Sequence, residues 1–126
     1  MIIGLVPARS GSKRIRNKNI CKLNGKPLVQ YTLEAAKNSK LLDDIVVTTD
    51  SKKIINLSKD LNIKVPFVRP KKLSGDKVNM LEVIKHAIKR EIFEKVKLIV
   101  LLQPTSPLRT GKDIDSAIKL FYKKKP

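Results

Sequence analysis

Tryptophan is absent from this 126-residue chain, which holds only three Phe and two Tyr. A surface that stacks nucleic-acid bases on aromatic rings is therefore poorly supplied, despite a net charge of +17. Cysteine occurs once, as Cys21. A lone thiol forms no internal disulfide, and with no second ligand beside it no thiolate metal site; it reads as a small, half-buried hydrophobe. No apolar run approaches the ~20 residues of a membrane span. No basic stretch leads into an apolar segment at the N-terminus, so nothing points to export and the cytoplasm is the default location. No Asp or Glu precedes Glu34. The lysines are spread along the whole chain, on what read as solvated helix faces, so nucleic acid is not the expected partner.

The acid-free first third is where the charge is organised. Ile2-Ile3-Gly4-Leu5-Val6 is an apolar strand, and Pro7, with no N–H to donate, ends its ladder. A polar loop follows, carrying Arg9, Ser10, Gly11, Ser12, Lys13, Arg14, Arg16 and Lys18. Small residues let backbone N–H groups approach an anion, and Arg and Lys supply charge, so this composition points to a phosphate site. The loop has neither the GxxxxGK[ST] spacing of a P-loop nor the GxGxxG of a dinucleotide fold.

The remainder alternates strand and helix within at most one domain. A turn at Leu23 to Pro27 leads into a helix over 28–37, with Leu28, Tyr31, Thr32, Ala35 and Ala36 on one face. Ile45 to Thr49 is β-branched throughout, as a strand buried on both faces would be. Asp50 or Ser51 caps a helix lined by Ile54, Leu57 and Leu61. Val65 to Val68 reads as a short third strand, placed at an edge by Pro66. After a long loop from Arg69 to Lys77, Asn79 and Glu82 suggest a capping box before a stripe of Leu81, Ile84 and Ile88. Leu98 to Leu102 is a fourth strand, Gln103 to Arg109 a polar loop, and Thr110 with Asp113 caps a last helix that buries Ile114, Ala117, Ile118 and Phe121. Four such units predict a parallel sheet with helices on both faces. Ligands bind such sheets at the carboxyl ends of the strands, where all four polar loops converge.

Five segments then resemble the acylneuraminate cytidylyltransferase (CMP-sialic acid synthetase) family: VPARSGSKRIRNKNI at 6–20, LNGKPL at 23–28, VVTTDS at 46–51, FVRPKKLSGD at 67–76 and LLQPTSPLRTGKDI at 101–114. The resemblance implies an α/β fold, Rossmann-like, with three α/β/α layers and a mostly parallel sheet. It implies CTP, a nine-carbon sialic-type sugar acid and a divalent cation, usually Mg2+, as reactants and cofactor, and CMP-sugar and pyrophosphate as products. It also implies a dimer for full-length members. Relatives acting on pseudaminic or legionaminic acid share the motifs.

The resemblance assigns Arg9 and Lys18 to the triphosphate and makes them, with Gln103, the catalytic set. Ala8, Arg9, Ser10, Gly11, Ser12, Lys13, Lys18, Asn19, Arg69 and Asp76 fall on the nucleotide side, and Gln103, Thr105 and Ser106 on the sugar side. Arg109 reads as structural, tying its loop to the last helix. Simpler roles compete: Arg14 and Arg16 as solvated charges, Asp50 as a helix cap, Asp76 as a turn residue and His86 as a surface or half-buried side chain. Where the family has small hydroxyl residues near the cytosine, this chain has Lys77-Val78-Asn79-Met80, which leaves reading of the base to backbone groups.

The resemblance also casts residues 1–126 as the amino-terminal, nucleotide-binding part of a longer domain. The Mg2+ ligands are expected in the other half, the isolated part is expected to turn over poorly, and the bare apolar edge of the fourth strand is expected to invite self-association. Alternatives are a 3-deoxy-octulosonate-type nucleotidyltransferase, a basic nucleic-acid-binding module, and a non-catalytic remnant completed by a second polypeptide.

Overall fold

A computed structural model describes residues 1–9, 22–23, 25–74, 78–90, 93–104 and 109–124. Its centre is β1 (Ile2–Pro7), whose side chains alternate between two hydrophobic clusters. Val6 and the following Ala8 point to one face, Ile3 and Leu5 to the other, and all four are fully buried. That period of two is the geometry of a strand covered on both sides.

Two strands pair with β1, both parallel: β4 (Asp44–Thr48), in the register Val6 with Val47, and β5 (Leu98–Leu101), in the register Leu5 with Leu101. The order is β4-β1-β5. A separate two-residue hairpin joins β2 (Lys22–Leu23) and β3 (Lys26–Pro27), with Gly25 in its turn at φ 84°. Only glycine adopts that backbone freely.

Among the described residues the main sheet therefore has three strands rather than the expected four. Val65 to Val68 is not a strand. The chain there runs beside the outer edge of β4, touching it through one parallel bridge, Lys64 to Val46. Val47 N–H donates to Lys64 O at 3.0 Å, and Arg69 N–H to Thr49 O at 2.8 Å. Pro66, between those two bonds, has no N–H to continue a ladder.

The helices cover both faces. On the first, α1 (Leu28–Asn38), α2 (Lys52–Asp60) and α4 (Gly111–Lys123) bring Val29, Leu33, Ile54, Ile114 and Ile118 onto β1 and β4. On the second, α3 (Met80–Ile88) packs through Ala87, with Phe67 and Phe93, against Ile3, Leu5 and Val46. Burying each large aliphatic group contributes about 1.5–3 kcal/mol relative to exposure. Two apolar stripes sit differently from expectation. On α3 the buried residues are Val83 and Ala87, while Leu81 and Ile88 are exposed. On α4, Ile114 and Ile118 are buried, but Ala117 and Phe121 face outward.

Caps define the helix starts. Ser51, not Asp50, caps α2, its hydroxyl accepting from Ile54 N–H. Asn79 caps α3 by accepting from Leu81 N–H at 2.7 Å. Thr110 and Asp113 form a reciprocal capping box on α4.

The seam between α1 and α4 is held by one carboxylate. Asp115 accepts from Ser39 Oγ, Lys40 N–H and Leu41 N–H, at 2.5 to 3.0 Å. The Ser39 bond, with help from the two amides, holds its pKa below the ordinary carboxylate value. Gly111 opens α4 against the end of α1, so closely that a Cβ there would lie 2.6 Å from the Asn38 carbonyl carbon. Neither backbone can yield cheaply, so Gly111→Ala is expected to destabilise the chain by about 1–3 kcal/mol. Urea denaturation measures this directly, and an unchanged midpoint would mean that the two helices separate without cost.

Candidate functional site

Three strand ends define one rim. Pro7 pairs with Thr48 at the carboxyl ends of β1 and β4, and Leu5 pairs with Leu101 near the end of β5. Two residues further along each of the latter strands come Pro7 and Gln103. Leu102 N–H donates to Leu5 O at 2.8 Å, which fixes the β5 exit, and Gln103 then projects from it exposed.

Beyond Pro7, Ala8 remains fully buried and its N–H donates to Thr48 O at 3.0 Å. The sheet thus holds the chain up to the residue before Arg9, which is half-exposed at the rim. Thr48 O accepts a second bond, from Arg69 Nη2 at 2.7 Å. The Arg69 guanidinium also donates through Nε to Thr48 Oγ1 at 3.2 Å and through Nη1 to Leu73 O at 3.4 Å.

Arg69 is only 3% exposed. Burial is the main reason its pKa lies below the ordinary arginine value; nearby Arg9 lowers it further, and Asp50 opposes both. The group stays charged at any working pH. A buried cation needs polar partners to offset lost hydration, and the Thr48 and Leu73 oxygens provide them. These bonds also fasten the loop that follows the edge segment beside β4, which turns through a short 3-10 segment, Lys71–Leu73, closed by Leu73 N–H to Pro70 O at 2.9 Å.

Outside Arg69 lies a group that the sequence did not announce. Phe67 meets His86 edge-to-face at 5.0 Å, and the Arg90 guanidinium stacks 4.9 Å from the Phe67 centroid. Arg90 Nη2 is 3.4 Å from His86 Nε2. Burial first, then Arg90, Lys89, Arg69 and Lys72, push the His86 pKa below the usual imidazole value. His86 is therefore neutral at pH 7 and half-buried, in line with its simpler reading.

The expected site residues divide cleanly. Ala8, Arg9, Arg69 and Gln103 lie at the carboxyl rim, and Asp50 faces Arg69 there rather than capping α2. Ser10, Gly11, Ser12, Lys13, Lys18, Asn19, Asp76, Thr105 and Ser106, with Arg14 and Arg16, lie outside the described residues. Arg109 Nη1 is buried and has no hydrogen-bond partner, so no tie to α4 is formed through that atom. Sequence reasoning missed Thr48, whose carbonyl joins the β1 exit to Arg69. The available signal was the hydroxyl pair Thr48-Thr49 closing an otherwise aliphatic strand. Among the described residues no group of three His, Cys, Asp or Glu could hold a metal ion, and no helix is long and apolar enough to cross a membrane.

Removing the Arg69 fork while keeping its length tests what it holds. Arg69→Met is expected to cost about 2–3 kcal/mol: bonds to a charged donor contribute about 1.5–3 kcal/mol each, but removing the guanidinium also removes the desolvation cost of a buried charge, and the apolar stem remains. Guanidinium chloride denaturation reads the change. A loss under about 0.5 kcal/mol would mean that solvent replaces all three bonds.

Comparison with known proteins bears on this rim. The profile of the family described as Cytidylyltransferase matches residues 3–126. An N-acylneuraminate cytidylyltransferase from Escherichia coli is 42% identical over 120 residues, which is 95% of this chain and 28% of that protein. A pseudaminic acid cytidylyltransferase from Campylobacter jejuni is 39% identical over 125 residues, 95% of this chain and 51% of that protein. Among solved structures, a CMP:2-keto-3-deoxy-manno-octonic acid synthetase complexed with CTP superposes with a TM-score of 0.77 at 20% identity, over 98% of this chain and 48% of that one. The fold is thus the α/β nucleotidyltransferase fold. The chain spans about half the length, or less, of the curated relatives it matches.

Proposed function

The chain belongs to the cytidylyltransferase family, and from that premise we propose that it is the nucleotide-binding part of an enzyme that activates a sialic-type sugar acid with CTP. The sugar's anomeric hydroxyl attacks the α-phosphorus and loses its proton to solvent, a P–O bond forms, the α-phosphorus bond to the bridging oxygen breaks, and pyrophosphate leaves with that oxygen. Negative charge grows on the phosphoryl oxygens and on the leaving group, so the protein's task is to position the reactants and offset that charge.

What carries the reading is the family match over residues 3–126 together with a cationic rim at the carboxyl ends of the strands. Arg9, held at the β1 exit through Ala8, is the side chain here that meets the phosphates. Charge-assisted hydrogen bonds to phosphate are the strong ones. Arg69, fastened by its own oxygens, keeps the rim positive and its loop in place. Gln103, exposed at the end of the adjacent strand, faces the sugar acid. Lys13, Lys18 and the small residues Ser10, Gly11 and Ser12 complete the phosphate cradle in this proposal.

The relatives' names give different acids, N-acylneuraminate and pseudaminic acid, so the substrate is assigned as a class: nine-carbon keto-sugar acids, used in surface glycan synthesis. The described residues do not fit a three-carboxylate cation site. Mg2+ would accompany the triphosphate itself, and every step assigned here belongs to the chain's own side chains. The proposed setting is the cytoplasm, where CTP is made.

Equilibrium binding of CTP, ATP, GTP and UTP tests the proposal. CTP is expected to bind most tightly. Arg9→Ala should weaken CTP by roughly 10-fold or more, the value of one charged hydrogen bond. Gln103→Ala should leave CTP affinity near its starting value. Indifference among the four nucleotides, or an Arg9→Ala chain that binds CTP unchanged, would remove the proposal's basis. With sugar acid and Mg2+ added, pyrophosphate release from these 126 residues is expected to be slow.

A further inference from the structure

His86, the one histidine of the chain, sits where a second ring proton finds no acceptor. Arg90 Nη2 lies 3.4 Å from His86 Nε2, and a guanidinium only donates. Nε2 therefore accepts, and the proton of the neutral ring is on Nδ1. Nδ1 is buried and has no hydrogen-bond partner. An imidazolium carries N–H on both nitrogens. Here one would point at a guanidinium and the other at no acceptor. Arg90 is itself tied in place: its N–H donates to Ala87 O at 3.1 Å, and its carbonyl accepts from Phe93 N–H at 3.0 Å.

The charges around the ring oppose a second proton as well. Lys89 and Arg90, at the end of α3, and Arg69 and Lys72, on the loop across from it, act on the ring, and all four are cations. Behind it the sheet and the turn at Phe93 supply Ile3, Leu5, Val46 and Phe93, which carry no charge. Of the remaining charged groups on the adjoining described segments, Glu82, Lys85, Glu94 and Lys95 are all exposed.

What the ring holds is Phe67. His86 meets it edge-on and Arg90 covers its face. Within the segment at 64–69, Phe67 is the side chain that enters the second hydrophobic cluster; Val65 packs against the first, and Val68 is 63% exposed. Two residues on, Arg69 bonds Thr49 O through its backbone and Thr48 through its side chain. The clasp on Phe67 thus decides how firmly the segment carrying Arg69 is held.

We propose that His86 is a proton-operated latch: a proton taken from solvent onto Nε2 expels the ring from between Phe67 and Arg90, and the segment at 64–69 loosens from α3 and from the edge of β4. The sign follows from linkage. The folded ring is held below the ordinary imidazole value of 6.5, by burial first and then by the four cations. The latch is therefore fully closed above about pH 6.5 and gives way as pH falls through and below it. This inference does not use the nucleotide reading, because its readouts are one ring and a few backbone amides.

A single histidine gives a single imidazole signal by NMR, so its titration belongs to His86. The midpoint is expected below that of the same ring in the urea-unfolded chain, and Arg90→Met should raise it. Amide hydrogen exchange follows the segment. Protection of Val47, bonded to Lys64 O, and of Arg69, bonded to Thr49 O, should fall by about 5- to 20-fold between about pH 7 and pH 5. Leu102, bonded to Leu5 O, should keep its protection. His86→Phe leaves a ring against Phe67 but does not titrate, so its ratio of protection at the two pH values should return to about one. Each ratio is taken within one variant, so a general loss of stability does not imitate the effect. The proposal is overturned if the imidazole titrates at its unfolded value, if Arg90→Met leaves the midpoint in place, or if Val47 and Arg69 are equally protected at both pH values. It is also overturned if Leu102 loses protection to the same degree, or if His86→Phe keeps the fall.

Discussion

One requirement organises the molecule: β1 must be dry on both faces. Its side chains alternate between two clusters, so helices have to lie above and below it, and a strand has to run along each side to take up its backbone groups. Parallel neighbours satisfy this, because each returns through a helix that supplies the cover. The rim follows from the same requirement. Three parallel strands end at one rim, and the first residues free of the ladder on β1 and β5, Arg9 and Gln103, emerge from adjacent strands.

The rim then poses an electrostatic problem, and the Thr48 carbonyl is central to its solution. It takes one bond from the backbone of Ala8 and one from the Arg69 guanidinium. A cation is thereby held almost out of water beside a second cation, with Asp50 as the moderating charge. Such a group adds positive potential at the strand ends without itself reaching into solvent, and a low-dielectric setting makes that potential felt further. The same field reaches His86, which remains uncharged among four cations. The neighbourhood is thus biased toward anions by groups of two kinds, one exposed and one enclosed.

Much of this was legible in residue order. The aliphatic strands, the helix caps at Ser51, Asn79 and Thr110, and the cationic exit of β1 all have local signatures. What escaped was set by distant parts of the chain. Pro66 removes a donor, but only the structure shows that the strand around it is reduced to one bridge. On α3, Leu81 and Ile88 obey helical spacing, yet it is Ala87, with Ile84 beside it, that packs with Phe67 and Phe93, and Val83 is buried while Leu81 and Ile88 are exposed. Phe121 has the right spacing on α4, but β5 alone is too narrow to cover it. The resemblance set Arg69 on the nucleotide side; its packing adds that three of its donors are already committed to the protein. No pattern of residue types foretells which oxygens a buried arginine will find.

The strand order β4-β1-β5 also has a temporal side. Of these three strands the central one leaves the ribosome first, and its two partners arrive far apart. β4 follows within the first half of the chain, but β5 begins only at Leu98. At synthesis rates of about 5–20 residues per second, β1 spends several seconds to some twenty with one flank uncovered. The long wait between its two neighbours makes the nascent chain, more than the finished one, the state in which Ile3 and Leu5 meet water and other chains.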